Sequence, residues 1–361
     1  MSLLFIKVWA FALLVPTCIL FVAVYLADLP APSLPLPRGY LYQSESNRPR
    51  TFSHRGSTKL FPQNTLFAHS GSLVMGADVL DMDVRLTKDG EVVVIHDEST
   101  LGVTGIHKKV HETSFEELQA MDFGFTFSSD SNHTKFPYRG IGIRVLTLKE
   151  ILTRFPQDTL LNIELKIPGP GFVGSGGALP ESVCQLLRRH GAARRAIVMS
   201  FSDMAWFKFR RVCPEVATAP GPLLMLPTLV LSMLLGRLWD SKHLLPFNAV
   251  QPPYGITSGL LVDAVHKVDR AVHVWTVDEP TEMHRMARLN VDGIMSDRLD
   301  VLVAQFDGHG GKNVITQAIW DGIPTSEACD TAIWTRYPAF AHAVQDSCLR
   351  ISDRVTDGKT F

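Results

Sequence analysis

The chain reads as an α/β protein: a (β/α)8 TIM barrel carried behind an N-terminal transmembrane helix. Three observations predict this. Eight or nine apolar, β-branched runs alternate with helical patterns between residues 51 and 304, and about 250 residues is the usual size of such a barrel. His54, Asp83, His96, Glu164 and Trp275 all fall towards the C-terminal ends of predicted strands, where barrel active sites form. The chain also opens with 20 uncharged residues, Val8 to Ala27, enough to cross the hydrocarbon core as a helix. A doubly wound open sheet is the alternative architecture, and it explains the shared strand-end position of those five residues less well.

Residues 1–28 are assigned to the anchor. Pro16 sits in its middle, which membrane helices tolerate because neighbouring groups satisfy the freed backbone. A cleaved signal peptide is the competing reading, with Ala23 and Ala27 as small processing positions, but its apolar region is usually only about 7–15 residues. Charge leaves the sidedness open. Lys7 lies on one flank and Arg38, Arg48 and Arg50 on the other, a weak lean to a cytoplasmic barrel. The glycosylation triplet Asn132-His133-Thr134 leans the other way. Residues 29–50 carry Pro30, Pro32, Pro35 and Pro37 and read as an extended, semi-rigid spacer.

Strands are predicted at 51–54, 79–84, 92–96, 160–166, 196–201, 216–218, 249–251, 271–276 and 293–296, from β-branched runs bounded by turn residues. Helices are predicted at 65–73, 114–121, 147–155, 180–190, 203–212, 258–268 and 281–289. Ser114-Phe115-Glu116-Glu117 has capping-box spacing, marking one helix start. Thr87-Lys88-Asp89-Gly90 is a tight turn between adjacent strands, so one barrel crossover lacks a full helix. The 14 apolar residues from Leu223 to Gly236, with Pro227 inside, are too short to span. They read either as a buried barrel helix or as a membrane-interfacial insertion beside the mouth of the site. Residues 305–361 follow a Gly308-His309-Gly310-Gly311 break, show no clear period and receive no function.

Lys plus Arg number 35 against 36 Asp plus Glu, so the charge gives no support to a nucleic-acid partner. The cysteines, Cys18, Cys184, Cys213, Cys329 and Cys348, are odd in number, scattered and without a C-x-x-C pair. Neither a disulfide framework nor a zinc site is expected from them.

The chemistry concentrates between Thr51 and Asp97. Asp81 and Asp83 are two apart on a strand and share a face. Paired carboxylate oxygens suit Mg²⁺ or Ca²⁺ rather than Zn²⁺. Arg55, next to His54, adds a cation, and a cation with a divalent metal points to an anionic substrate, phosphate above all. Glu164 and Lys166 share a face of a later strand, and in a central strand neither charge is buried without a partner. His54 and His96 each end a β-rich run, and imidazole titrates near neutrality, so the pair suits proton transfer in both directions. Asp97 either orients His96 or caps the next loop. Trp275 either walls the substrate pocket or packs in the core. His69, His107, His111, His133 and His273 read as structural.

The ordered set His54-Arg55-Gly56, Pro62-Gln63-Asn64-Thr65, Asp81-Met82-Asp83-Val84, Thr87-Lys88-Asp89-Gly90, His96-Asp97, Asn162-Ile163-Glu164-Leu165-Lys166, Ser200-Phe201, Trp275-Thr276-Val277 and Asp292-Gly293-Ile294-Met295-Ser296-Asp297 resembles the glycerophosphodiester phosphodiesterase family. It spans roughly residues 50 to 300. The apolar N-terminus makes the chain similar to the membrane-anchored, lysophospholipase D-type branch of that family. The resemblance implies one divalent ion, Mg²⁺ or Ca²⁺, held by Asp81, Asp83 and Glu164. It implies His54 and His96 as the acid–base pair, and Arg55 and Lys166, with Trp275, around the phosphodiester.

Two positions depart from the family pattern. The usual Pro-Glu-Asn-Thr has Gln63 for its glutamate, and the usual Glu-x-Asp has Asp81 for its first carboxylate. Both changes are expected to weaken metal affinity or retune metal choice. The expected activity is hydrolysis of a lysophospholipid or N-acyl glycerophosphoethanolamine with release of the head-group alcohol, at the bilayer of the endoplasmic reticulum or another endomembrane. The alternatives are a tethered enzyme for water-soluble glycerophosphodiesters, and a lipid-binding membrane protein whose site has decayed.

Overall fold

The computed structural model describes residues 48–168, 177–222, 224–225 and 247–306. The predicted anchor, nearly all of the spacer, most of the 223–236 stretch and nearly all of the C-terminal extension lie outside the described residues. Among the described residues, no helix is long and apolar enough to cross a membrane.

Among the described residues, ten strands form one sheet. They are β1 (Arg50–Ser53), β2 (Val79–Leu86), β3 (Val92–Val94), β4 (Leu146–Thr147) and β5 (Leu160–Leu165), followed by β6 (Ala196–Met199), β7 (Ala217–Ala219), β8 (Ala249–Val250), β9 (Ala271–Val274) and β10 (Gly293–Ser296). Eight of them run in the order β7-β6-β5-β2-β1-β10-β9-β8, each neighbouring pair parallel. The two ends of this path meet through Asn248. Its backbone N–H donates to Thr218 O at 2.8 Å, and its side-chain oxygen accepts from Thr218 N at 3.0 Å. The predicted barrel is what forms, nearly closed.

β3 and β4 stand off the barrel path. β3 pairs antiparallel with β2, and β4 antiparallel with β3. The Thr87–Gly90 turn makes the reversal, closed by Gly90 N to Thr87 O at 3.1 Å with Gly90 at φ 88°, a conformation that favours glycine. One crossover therefore lacks its helix, as the turn predicted.

Strand alternation builds the rest. Leu80, Met82 and Val84 of β2, with Leu161, Ile163 and Leu165 of β5, join one buried cluster with Val183, Leu187 and Trp206 of the surrounding helices. Each such side chain contributes about 1.5–3 kcal/mol by burial. The intervening residues, Asp81, Asp83, Asn162 and Glu164, therefore point into the barrel. Nine helices are described: α1 (Leu66–Val74), α2 (Leu101–Thr104), α3 (Phe115–Gln119), α4 (Leu148–Arg154), α5 (Leu179–Arg189), α6 (Asp203–Val212), α7 (Gly259–Lys267), α8 (Pro280–Arg288) and α9 (Leu299–Phe306). Ser114 and Glu117 form the predicted capping box, and Thr147 with Glu150 forms a second.

Three expectations are corrected. Most strands stop one to two residues short of their predicted ends, so His54, His96, Lys166, Phe201 and Trp275 stand on the loops just beyond; a ladder ends where the chain turns to present side chains at the mouth. α9 was not predicted, yet Leu299 and Leu302 are fully buried and hold it to the barrel. Cys184 of α5 and Cys213, directly after α6, form a disulfide with a Cα–Cα distance of 5.7 Å. The sequence offered no spacing cue because the pairing is made by two helices packed side by side.

Candidate active site

The first strand ends at Ser53 and the chain tightens into a 3-10 turn over His54–Gly56. Arg55 takes a left-handed backbone, φ 51°, and Gly56 follows at φ 78°. A Cβ on Gly56 would lie 2.6 Å from that of Ala68, so the turn presses on α1 too closely for any side chain. This bend aims His54 and Arg55 across the barrel mouth. His54 Nδ1 lies 2.6 Å from Asp297 Oδ1. Asp297 is itself fixed by its backbone N–H, which donates to Asp278 Oδ1 at 2.9 Å. His96 repeats the arrangement, with Nδ1 2.7 Å from Asp97 Oδ1. Each imidazole thus has one nitrogen held by a carboxylate, which leaves Nε2 as the working atom.

Asp81 and Asp83 sit opposite Asn162 and Glu164 in the β2–β5 register. Asn162 donates to Asp81 Oδ1 at 2.6 Å and accepts from Gln251 at 2.8 Å, a chain of side chains across the barrel interior. Asn64 donates to Asp83 Oδ2 at 2.9 Å. Lys166 Nζ lies 2.6 Å from Glu164 Oε1 and 3.4 Å from Asp83 Oδ1, while Arg55 Nε lies 3.4 Å from Asp83 Oδ2. Trp275 donates from Nε1 to Gln251 O at 2.7 Å. It meets Phe201 edge to face, with ring centroids 5.5 Å apart, and Lys166 Nζ lies 5.4 Å from the Phe201 centroid. All eight predicted site residues therefore converge at one mouth, where Trp275 packs both against Phe201 and against the buried Phe52, Val79 and Met295 cluster.

Burial sets the electrostatics. It pushes Asp81 and Glu164 above the usual carboxylate range, with Lys166 opposing it at Glu164. Burial acts the same way on Asp83, but Lys166 and Arg55 overcome it and hold that carboxylate well below the range. Burial works against charge on His54, yet its hydrogen bond to Asp297 and the nearby Asp81 carboxylate raise its pKa. Asp97 is held low, first by its bond to His96.

Three carboxylates, Asp81 and Asp83 buried and Glu164 half-buried, face Arg55 and Lys166, so the donor set is hard and oxygen-rich and its acidic groups outnumber the basic ones. It fits a divalent ion of the Mg²⁺ or Ca²⁺ type. Its oxygens are spread: among the described residues, the one trio of ligand groups within 4.8 Å of one another is Cys184, Cys213 and Glu215, two of which form the disulfide. Lys166 and Arg55, rather than mutual contact, organise Asp83 and Glu164. Gln63 does not enter the carboxylate group. Its Oε1 accepts from Arg55 Nη1 at 3.3 Å, so the amide replaces a charge beside Arg55 and leaves the three carboxylates intact.

Sequence reasoning missed four contributors: Asp297, Asn64, Asn162 and Gln251. Asp297 was findable, since it directly follows a predicted strand, just as His54 closes another. Asn64 and Asn162 stand in the quoted motifs but without a role, which only their carboxylate partners disclose, and Gln251 shows itself only through Asn162.

The profile described as the Glycerophosphoryl diester phosphodiesterase family matches residues 54–301. A glycerophosphodiester phosphodiesterase of Caldanaerobacter subterraneus subsp. tengcongensis is 29% identical over 252 residues, covering 70% of this chain and 95% of that protein. The crystal structure of a glycerophosphodiester phosphodiesterase from Agrobacterium tumefaciens superposes with a TM-score of 0.55 at 24% identity, covering 71% of this chain and 99% of the other. A phosphodiesterase of Oleispira antarctica, solved with its product sn-glycerol-3-phosphate, gives 0.57 at 20% identity over 73% and 98% of the two chains. These two structures share the fold.

Proposed function

This chain belongs to the glycerophosphoryl diester phosphodiesterase family, and from that premise we propose that it hydrolyses glycerol-based phosphodiesters to release the head-group alcohol. One observation carries the reading: two histidines, each with Nδ1 held by a carboxylate, flank an Asp81–Asp83–Glu164 group bridged by Arg55 and Lys166. Such a pair can take a proton from the attacking hydroxyl and give one to the leaving alkoxide. Arg55 and Lys166 offset the phosphate charge. Asp81, Asp83 and Glu164 would hold a divalent ion, Mg²⁺ or Ca²⁺, which supplies polarisation of the phosphoryl oxygens when bound. The attacking hydroxyl is either water or a free glycerol hydroxyl of the substrate. The latter gives a cyclic phosphate first, with an entropic advantage.

The substrate reading is finer. The apolar stretches at 8–27 and 223–236 support a membrane-tethered enzyme of endomembranes acting on lysophospholipids or N-acyl glycerophosphoethanolamines. A tethered enzyme for soluble glycerophosphodiesters is the second reading. Decay of the site finds less support, because Gln63 contacts Arg55 and not the carboxylates.

The test is choline release by detergent-solubilised protein from lysophosphatidylcholine and from glycerophosphocholine, each with Mg²⁺, Ca²⁺ or EDTA. Metal-dependent release from the lysolipid is the expected result. Release from glycerophosphocholine alone selects the second reading, and release from neither, with no change in Tm on adding metal, supports a decayed site.

A further inference from the structure

Asp81, Asp83 and Arg85 occupy alternate positions on β2, so the arginine follows the two carboxylates along one face. Its guanidinium is engaged by backbone carbonyls of two loops. Nε and Nη2 both donate to the carbonyl oxygen of His96, at 2.9 and 2.7 Å, and Nη1 donates to the carbonyl oxygen of Ile167 at 3.3 Å. The location explains why these contacts matter. β2 is flanked by β3, which leads to His96, and by β5, which leads to Lys166. The ladder to the first ends with Ile95 N to Asp83 O at 2.9 Å, and the ladder to the second with Lys166 N to Val84 O at 3.0 Å. Beyond those bonds both chains turn into loops, and Arg85 takes hold of each at its next carbonyl.

We infer that Arg85 is a positioning residue, a clasp that fixes His96 and Lys166 relative to each other by binding the backbone of both loops. It touches no reacting atom in this role. A planar fork with three donors spans two carbonyls on separate loops in a way that a point charge on a flexible stem does not. Misplacing a proton-transfer group by about 1 Å costs on the order of 100-fold in rate, so the clasp is expected to act on turnover rather than on binding.

The inference rests on the phosphodiesterase reading for its kinetic arm, so the test has a second arm independent of activity. Full-length R85A and R85K are compared with the unaltered chain by steady-state kinetics on glycerophosphocholine and by hydrogen exchange over residues 95–98 and 165–168. The expected result is a kcat lower by about 10- to 100-fold in both variants with KM changed less than about threefold. Added guanidinium ion should restore part of the R85A turnover, and exchange should be faster in both loops. R85K keeps the charge and serves if R85A does not fold. Full activity in R85K would overturn the clasp in favour of simple charge, and a raised KM at unchanged kcat would make Arg85 a substrate ligand. Unchanged exchange in both loops would overturn the inference whatever the kinetics show. If the unaltered chain releases no choline, that failure belongs to the phosphodiesterase reading, and the exchange result alone decides the role of Arg85.

Discussion

Asp297, half-buried, and His69, fully buried, have opposite consequences. Asp297 lies 243 positions from His54 and yet fixes its Nδ1 at 2.6 Å. In D297N the amide still fills the space but no longer enforces the tautomer or stabilises imidazolium, so kcat should fall by about 100-fold or more with the fold intact. Melting temperature and single-turnover rate measured together check this. His69 on α1 is fully buried, and neither ring nitrogen has a hydrogen-bond partner among the described residues. Burial lowers its pKa to about 4, against the weaker pull of Asp83. Because the folded value lies below the ordinary 6.5, the unfolded chain binds the proton more readily. This group's stability is therefore full above about pH 6.5 and is lost as pH falls towards 4, by about 3 kcal/mol. Urea midpoints at pH 7.5 and 4.5 should differ less in H69L than in the unaltered chain, and an equal difference would refute the assignment. The convergence of the candidate site residues was legible because their types, spacing and strand-end positions coincide. Asn64, Asn162 and Gln251 were not, since a buried amide is chemically neutral in sequence and gains its role only from the carboxylate or amide it meets.

At the scale of elements, the periodic signals were read well and the ends were not. Alternation in β2 and β5 predicted that the charged residues of each strand share one face, which the structure turns into the barrel, and capping chemistry located the start of α3. The strand ends were overextended because β-branched residues continue past the regular ladder: Ile95 follows β3, keeps one last bond to Asp83 O, and already stands at the loop that carries His96. The α5–α6 pair adds a covalent link that spacing could not disclose. The Cys184–Cys213 bridge joins positions 29 apart, and closing a loop of that size in the unfolded chain is worth about 3 kcal/mol. Thermal melting should show C184A and C213A destabilised by similar amounts, and a reductant should lower the Tm of the unaltered chain but of neither variant. A reductant effect that persists in both variants would contradict the bridge.

For the whole molecule, the barrel explains why residues separated by more than two hundred positions act together. The strands deliver their ends to one mouth, so His54, Asp83, His96, Glu164, Lys166 and Trp275 meet although five different strands, β1, β2, β3, β5 and β9, carry them or lead to them. The antiparallel β3 excursion brings His96 to the same rim without a crossover helix. The carboxylate group faces this mouth, and D83N should abolish any rise in Tm produced by Ca²⁺ or Mg²⁺ while leaving the barrel folded; a retained rise would place the ion elsewhere.

The central claim is that phosphodiester cleavage runs through the two carboxylate-held histidines. The most direct measurement is glycerophosphocholine turnover by H54A, H96A and the double variant, each verified as folded by circular dichroism. The account predicts that each single change lowers kcat by at least about 100-fold, and that the double change costs far less than the product of the two, because the pair acts as a unit. Turnover retained within a fewfold in either single variant would contradict it.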